Sequence, residues 1–147
     1  MKILVDAGNG AGGFFATSVL EPLGADTTGS QFLDPDGTFP NHVPNPEDPA
    51  AMSATIDAVL ANNADLGVVF DTDVDRSGIV DAQGRAVNKN KLIALMAAVT
   101  LRAVPRSTVV TDSVTSQHLT AFIEGLGGKH MRCAATAHQG CATLLAA

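Results

Sequence analysis

Short apolar runs alternate with stretches of helical spacing along most of the chain. The runs have the length of buried strands and end at Gly, Pro, Asp or Asn, which predicts β-strands. The predicted strands are residues 2–8, 25–30, 65–70, 77–84, 107–112 and 129–135. Between them, apolar residues recur every three or four positions, which predicts amphipathic helices. The predicted helices are residues 15–23, 52–60, 88–104 and 116–126. In the longest helix we expect Leu92, Leu95, Met96 and Val99 to face the core.

This order of elements predicts an α/β protein of three layers, in which a mostly parallel, mixed sheet is flanked by helices. A turn at residues 83–88 is the natural boundary between two α/β units, residues 1–86 and residues 87–147. The second unit has only about two strands and two helices, which is small for an independent domain. We therefore expect the chain to be a portion of a longer protein that stops inside its second unit.

One long segment is rich in proline. It covers residues 34–49, DPDGTFPNHVPNPEDP, and holds five of the seven prolines. Each proline lacks an amide donor and restricts the residue before it, so no regular helix or strand is expected here. Loops of this length are often functional. His42 lies in this loop between two asparagines, Asn41 and Asn45. It is a candidate substrate-binding residue that contacts a phosphate or sugar, and the alternative is a structural hydrogen-bonding role.

Composition and charge exclude several classes of partner. Apolar residues make up 46% of the chain and charged residues 16%, which is typical of a packed globular core. The chain has 9 basic and 15 acidic residues, for a net charge of −6, and no basic stripe. We therefore expect no nucleic acid and no anionic membrane surface as a partner. The composition gives no prediction of the oligomeric state.

The N-terminus and the cysteines indicate the cellular compartment of the protein. The opening MKILVDAG is cut by Asp6 after a short apolar run, which predicts a first strand and not a signal peptide. No apolar stretch is long enough to span a bilayer. The default expectation is a cytoplasmic protein, unless a longer chain carries an organelle address upstream. Cys133 and Cys141 are then expected to be two reduced thiols, with a disulfide between them as the alternative.

The segment GVVFDTDVDRSG, residues 67–78, carries the most informative chemistry. Asp71, Asp73 and Asp75 occupy alternate positions after a buried strand, so their side chains can converge. Three neighbouring carboxylates repel one another, and a hard divalent cation such as Mg²⁺ relieves that repulsion. Arg76 adds planar donors that suit a phosphate group. The pattern predicts a Mg²⁺ site with these three aspartates as ligands, and the alternative is a polar turn whose aspartates cap backbone amides.

Two other acidic motifs are alternatives to a Mg²⁺ site in this segment. A calcium loop of the EF-hand type requires glycine at its sixth position and glutamate at its twelfth, where this chain has Arg76 and Ala82. That template is excluded. A phosphatase of the haloacid dehalogenase type resembles the segment more closely, with Asp71 as nucleophile and Asp73 as general acid. Asp75 and the position of the motif on the third predicted strand make the phosphatase the second choice.

The turn GNGAGG follows the first predicted strand and precedes a helix. Gly8, Gly10 and Gly13 match the G-x-G-x-x-G pattern of dinucleotide-binding proteins. That pattern also requires an acidic residue at the end of the second strand, whereas Asp26 opens the strand here. A Rossmann-like nucleotide-binding module is one interpretation, and a tight turn that allows close packing of the helix is the other.

Three segments together indicate a family. DAGNGAGG, DPDGTFPNHVPNPEDP and ADLGVVFDTDVDRSGIVD, in this order, resemble the α-D-phosphohexomutases, the phosphomannomutase/phosphoglucomutase family. The resemblance runs over about residues 2–128 and implies repeated α/β units, namely the second of four domains and part of the third. It also implies that Asp71, Asp73 and Asp75 bind Mg²⁺ and that Arg76 contacts a phosphoserine carried by a first domain.

The resemblance implies an isomerase reaction. A phosphoryl group would move between the 1- and 6-positions of a hexose phosphate, of glucose or mannose type, through a bisphosphate intermediate. The first domain with its serine is absent from this chain, and so are the later loops that select the sugar and bind its phosphate. A basic residue and a glycine of the third domain are replaced near Ala134–Thr136. We therefore expect the isolated chain to be incomplete and inactive.

Overall fold

The computed structural model describes residues 1–112 and 115–133. The chain divides into two compact units, Met1–Val87 and Asn88–Ala147. Within the described residues the strands are β1 (Ile3–Asp6), β2 (Leu66–Phe70), β3 (Ser77–Asp81), β4 (Thr108–Thr111) and β5 (Lys129–Arg132). The α-helices are α1 (Pro49–Asn62), α2 (Lys89–Ala103) and α3 (Gln117–Gly125). A short 3₁₀-helix (Ala11–Gly13) and a π-helix (Phe15–Leu20) follow β1. No helix in the described ranges is long and apolar enough to cross a membrane.

The first unit is built on a mixed sheet with the strand order β1-β2-β3. β1 runs parallel to β2, with Ile3 opposite Leu66 and Asp6 opposite Val69. β2 and β3 are antiparallel, and Phe70 lies opposite Ser77. Residues 71–76 therefore form the connection of a β-hairpin, although the preceding strand pair is parallel. The predicted α/β class, with a mixed sheet flanked by helices, is confirmed.

Both faces of this sheet are covered, which gives the three predicted layers. One face packs on α1 through a buried cluster of Leu4, Ala58, Val59, Ala64 and Val80. The other face packs near the π-helix through a buried cluster of Val5, Ala16 and Phe70. Leu4 and Val5 point to opposite faces because side chains alternate along a strand. This is why the first strand reads as an uninterrupted apolar run instead of alternating apolar and polar residues.

Two predicted elements of the first unit take a different form. The expected strand at residues 25–30 is reduced to two isolated bridges, Lys2 with Asp26 and Asp6 with Gln31. Gly29 has a φ of +99°, and the Thr28 amide donates to the Asp26 carboxylate, so the chain turns here and does not stay extended. The helix expected at residues 15–23 is a π-helix that ends at Leu20. The proline-rich loop lacks a regular element until α1 begins at Pro49, as predicted.

The second unit contains the parallel pair β4-β5 and the helices α2 and α3. Its buried cluster consists of Ala97, Leu101, Leu119 and Ile123. The expectation for the inward face of α2 is wrong, because Leu95, Met96 and Val99 are 61%, 62% and 62% exposed. α2 carries two apolar stripes, and the stripe that contains the small Ala94 and Ala97 is the one that packs on the cluster. Small side chains allow the close approach that buries that stripe.

The cysteine at the C-terminal end of the described residues differs from the expectation. Cys133 is disulfide-bonded, so the expectation of a reduced thiol at this position is wrong. Cys141 and the divergent residues Ala134–Thr136 lie outside the described residues.

Close packing of β2 on α1 can be tested at Gly67. A Cβ atom at Gly67 would clash with Val59 Cγ2 and would lie 3.1 Å from Thr55 Cγ2. Gly67→Ala should therefore lower the free energy of unfolding by about 1–3 kcal/mol, since overpacking forces the helix to shift. Gly37→Ala is the matched control, because nothing lies within 4 Å of the added atom. Urea unfolding of the three proteins measures the difference, and equal midpoints would contradict this packing.

Candidate metal centre

The three predicted aspartates meet at the tip of the β2–β3 hairpin. One carboxylate oxygen from each of Asp71, Asp73 and Asp75 lies within 4.8 Å of the others. Asp71 is buried, at 2% exposure, while Asp73 and Asp75 are exposed to solvent. The triad therefore has one fixed member at the end of β2 and two members that face outward.

The backbone of the hairpin loop is held in an uncommon conformation. Val74 has a φ of +68°, in the left-handed region that β-branched residues rarely adopt. Its side chain packs against the buried cluster of Val5, Ala16 and Phe70. Because Val74 points inward, its neighbours Asp73 and Asp75 point outward. Strain of this kind persists only where the surrounding packing enforces it.

Arg76 fixes the buried member of the triad. Its backbone amide donates to Asp71 Oδ1 at 3.0 Å, and its Nε donates to Asp71 Oδ2 at 3.1 Å. The same Nε lies 3.5 Å from Asp75 Oδ1. The Arg76 side chain is 47% exposed, so its position is set by the protein while part of the guanidinium remains open to solvent.

Within the triad, the pKa values of Asp71 and Asp75 shift in opposite directions. Burial acts to raise the pKa of Asp71, but hydrogen bonds from the Arg76 amide, from Asp75 and from the guanidinium outweigh it and lower that pKa. The hydrogen bond with Asp71 raises the pKa of Asp75. Burial and the charges of Asp73 and Asp71 act in the same direction, and Arg76 opposes them. The neighbouring carboxylates thus make ionisation of Asp75 less favourable.

The proline-rich loop supports this hairpin from one side. Asn45 accepts a long hydrogen bond from Arg76 Nη1, at 3.4 Å. Pro46 packs beside β3, where a Cβ atom added to Gly78 would lie 3.0 Å from Pro46 Cβ. The long loop predicted from the sequence therefore lies directly against the hairpin that carries the triad.

The glycine turn supports the same hairpin from another side. The Ala11 amide donates to the Thr72 carbonyl at 2.9 Å, and a Cβ atom at Gly10 would lie 2.9 Å from that oxygen. The amides of Gly8, Asn9 and Gly10 also have acceptors within the protein. A dinucleotide fingerprint needs amides that face a pyrophosphate, so this turn does not fit the nucleotide interpretation. Close packing is the alternative that the geometry favours.

His42 lies away from the triad and is 8% exposed. Its Nε2 contacts the Asp6 carboxylate, at 3.0 Å from Oδ1 and 3.2 Å from Oδ2. Its Nδ1 is 3.0 Å from the Val43 carbonyl. Both ring nitrogens are therefore engaged inside the protein, which favours the structural role over a contact to a phosphate or sugar.

Two residues of this arrangement were missed in the sequence. Asp6 is fully buried and accepts from the Gly8 amide at 3.0 Å and from Gln31 Nε2 at 2.7 Å. Thr55 Oγ1 also donates to it, at 3.1 Å. The available signal was a carboxylate placed directly at the end of a buried strand, the same position that Asp71 has on β2. Asn45 carried no signal of its own, because its partner Arg76 is distant in sequence.

The donor set fits a hard divalent cation. Such ions take carboxylate oxygens as ligands, and Mg²⁺ uses few protein carboxylates and retains water or phosphate oxygens. Within residues 1–112 and 115–133, this triad is the one group of three or more potential ligand side chains close enough to hold an ion.

Comparisons with known proteins show which family the chain resembles. The family model for phosphoglucomutase/phosphomannomutase, alpha/beta/alpha domain II, matches residues 1–84. A phosphoglucomutase of Neisseria meningitidis is 38% identical over 129 residues, which cover 88% of this chain and 28% of that protein. A phosphomannomutase/phosphoglucomutase of Pseudomonas aeruginosa is 37% identical over 129 residues, with the same coverage of 88% and 28%.

Solved structures give the same picture of the fold. A phosphoglucomutase/phosphomannomutase family protein from Burkholderia thailandensis superposes with a TM-score of 0.86 at 32% identity, covering 92% of this chain and 30% of that one. A phosphomannomutase described as putative, from Thermus thermophilus, has a TM-score of 0.73 at 22% identity, covering 88% and 30%. The second likeness shows the fold alone. This chain thus spans less than a third of the length of its relatives.

The raised pKa of Asp75 gives a test of the triad geometry in the metal-free protein. Asp73→Asn removes a negative charge that raises the pKa of Asp75, so this pKa should fall. The measurement is an NMR titration of the carboxyl carbons. Asp57→Asn, at an exposed position on α1, removes the same charge away from the hairpin and should leave Asp75 unchanged. An identical Asp75 titration in wild type and Asp73→Asn would show that the carboxylates do not converge.

Proposed function

Because this chain belongs to the phosphoglucomutase/phosphomannomutase family, we propose that it is the metal-binding portion of a phosphohexomutase. The complete enzyme would move a phosphoryl group between the 1- and 6-positions of a hexose phosphate. The family model covers the first unit, and the relatives are named for glucose and mannose phosphates. The hexose phosphate is the partner we propose for the complete enzyme, and no described residue selects between the two sugars.

The observation that carries the proposal is the convergence of three carboxylates beside an arginine. Asp71, Asp73 and Asp75 would hold the cation, each through one oxygen. A bound Mg²⁺ supplies Lewis-acid withdrawal of charge from a phosphoryl oxygen. The chain supplies a fixed anchor at Asp71 and two outward carboxylates that can adjust to the ion.

Arg76 has two tasks in this proposal. Its amide and Nε orient Asp71, and the open part of its guanidinium can donate to phosphate oxygens. A guanidinium suits phosphate because its donors are planar and permanently charged. We propose that this open part contacts a phosphoserine supplied by another part of the complete enzyme. The chain alone would then bind the ion without completing a turnover.

The phosphatase alternative has less support in the geometry. A nucleophilic aspartate needs an oxygen directed at the substrate, with a general acid in reach. Asp71 is 2% exposed and is held in place by Arg76, which restricts its approach to a substrate phosphorus. The comparisons likewise match mutases. We therefore propose no phosphatase activity.

Metal binding is tested with Mn²⁺ as a spectroscopic substitute for Mg²⁺. Asp73→Asn should weaken Mn²⁺ binding by about tenfold or more, since one of three anionic ligands is lost. The measurement is electron paramagnetic resonance of free Mn²⁺ during titration. Asp57→Asn carries the same charge change at a distance and should bind as the wild type does. Equal affinities for Asp73→Asn and wild type would contradict the assignment of the triad.

A further inference from the structure

The proline-rich loop has no regular element, yet it delivers contacts to the arginine of the metal centre. Asn45 accepts from Arg76 Nη1, and the Glu47 carboxylate adds a favourable charge interaction with the same guanidinium. Pro46 packs beside Gly78 on β3. A loop without a ladder of backbone hydrogen bonds needs another anchor to hold such contacts in place.

His42 is that anchor. Its side chain is 3% exposed, and Nε2 meets the fully buried carboxylate of Asp6 at 3.0 Å. Nδ1 faces the carbonyl of Val43 at 3.0 Å. Both ring nitrogens thus lie within hydrogen-bonding distance of a protein oxygen, and the ring is held at two points. These buried contacts tie the loop to the end of β1.

The chain between His42 and Asn45 transmits this anchoring. Pro44 is fully buried, and a Cβ atom added to Gly8 would lie 2.8 Å from Pro44 Cβ and 2.9 Å from His42 Cε1. Proline fixes its own φ and restricts the residue before it. The two prolines at positions 44 and 46 therefore leave little freedom between the anchor and the residue that meets Arg76.

We propose that His42 is a positioning residue for the metal centre. The pair His42–Asp6 fixes the loop segment 42–46, and that segment places Asn45 and Pro46 against the hairpin. Arg76 is thereby held in the orientation that fixes Asp71. His42 acts through these residues and touches no substrate. This inference rests on the proposed function only for its effect on metal affinity, because the orientation of Arg76 exists without a metal.

Thr55 provides a control that shares the same carboxylate. Its Oγ1 donates to Asp6 Oδ2 at 3.1 Å and to the Ala51 carbonyl at 2.9 Å, both from α1. Its hydroxyl makes none of the contacts that lead from the proline-rich loop to Arg76. Thr55→Val therefore removes one donor from Asp6 and leaves the loop attached. His42→Gln removes the ring that contacts both Asp6 and the Val43 carbonyl, and it loosens the loop.

The experiment compares the full chain of the wild type, His42→Gln and Thr55→Val with two measurements. The first is the Nε–H signal of Arg76 in the metal-free protein, observed by nitrogen-15 NMR. The second is Mn²⁺ affinity. His42→Gln should shift or broaden the Arg76 signal and weaken Mn²⁺ binding by about tenfold, the scale seen for residues that orient metal ligands. Thr55→Val should leave the Arg76 signal and the Mn²⁺ affinity unchanged. This holds even if Thr55→Val lowers the thermal unfolding midpoint as much as His42→Gln does.

The outcomes separate the two proposals. An unchanged Arg76 signal in folded His42→Gln would overturn the positioning role, and so would equal changes in Thr55→Val. If the wild type binds no Mn²⁺, the proposed function fails, while the Arg76 signal still decides the role of His42. If His42→Gln does not fold, Asn45→Ala replaces it, because this variant retains the pair His42–Asp6. Asn45→Ala should also shift the Arg76 signal, and an unchanged signal would overturn the inference.

Discussion

The carboxylate of Asp6 is the interaction on which the first unit depends. It is fully buried at the end of β1 and accepts hydrogen bonds from four separate segments. These are the glycine turn through Gly8, the stretch around Gln31, the proline-rich loop through His42, and α1 through Thr55. A buried charge is tolerated only when it is paired and hydrogen-bonded. Breaking a buried pair by removing one partner typically costs about 3–5 kcal/mol. The four segments must therefore reach Asp6 together, and this requirement fixes where two irregular loops lie.

Both of those loops border the hairpin that carries the aspartate triad. The glycine turn bonds to the carbonyl of Thr72, and the proline-rich loop reaches Arg76 through Asn45. The hairpin itself has only a short loop and a valine in the left-handed region, Val74, so its own backbone preference does not maintain its shape. Its geometry is imposed by neighbours that are organised around a carboxylate on another strand. The end of β1 thus supports the site that we propose at the end of β2.

The sequence predicted the elements and the triad because both are local patterns. Alternation of Asp71, Asp73 and Asp75 after an apolar strand is enough to place three carboxylates together. The role of the glycine turn does not follow from local sequence, since its amides could face either a phosphate or the protein. Only acceptors distant in sequence, such as the Thr72 carbonyl, decide between these two roles. The prediction of the inward face of α2 was wrong for a similar reason. The helix carries two equally regular apolar stripes, and packing on α3 selects one of them. Asp6 was missed since three of its four partners lie 25, 36 and 49 residues away.

The distribution of roles within the triad argues for a cation over a purely structural turn. A structural turn needs only Asp71, which accepts from the Arg76 amide and guanidinium and so closes the hairpin. Asp73 and Asp75 bond to no backbone amide among the described residues. The hydrogen bond with Asp71, burial and the charges of Asp73 and Asp71 all raise the pKa of Asp75, and only Arg76 opposes them. Repulsion of this kind opposes folding. A hard cation reverses its sign, because the same two carboxylates then become ligands. The proposed cation site therefore accounts for the exposed pair, whereas the buried aspartate has a structural role in either case.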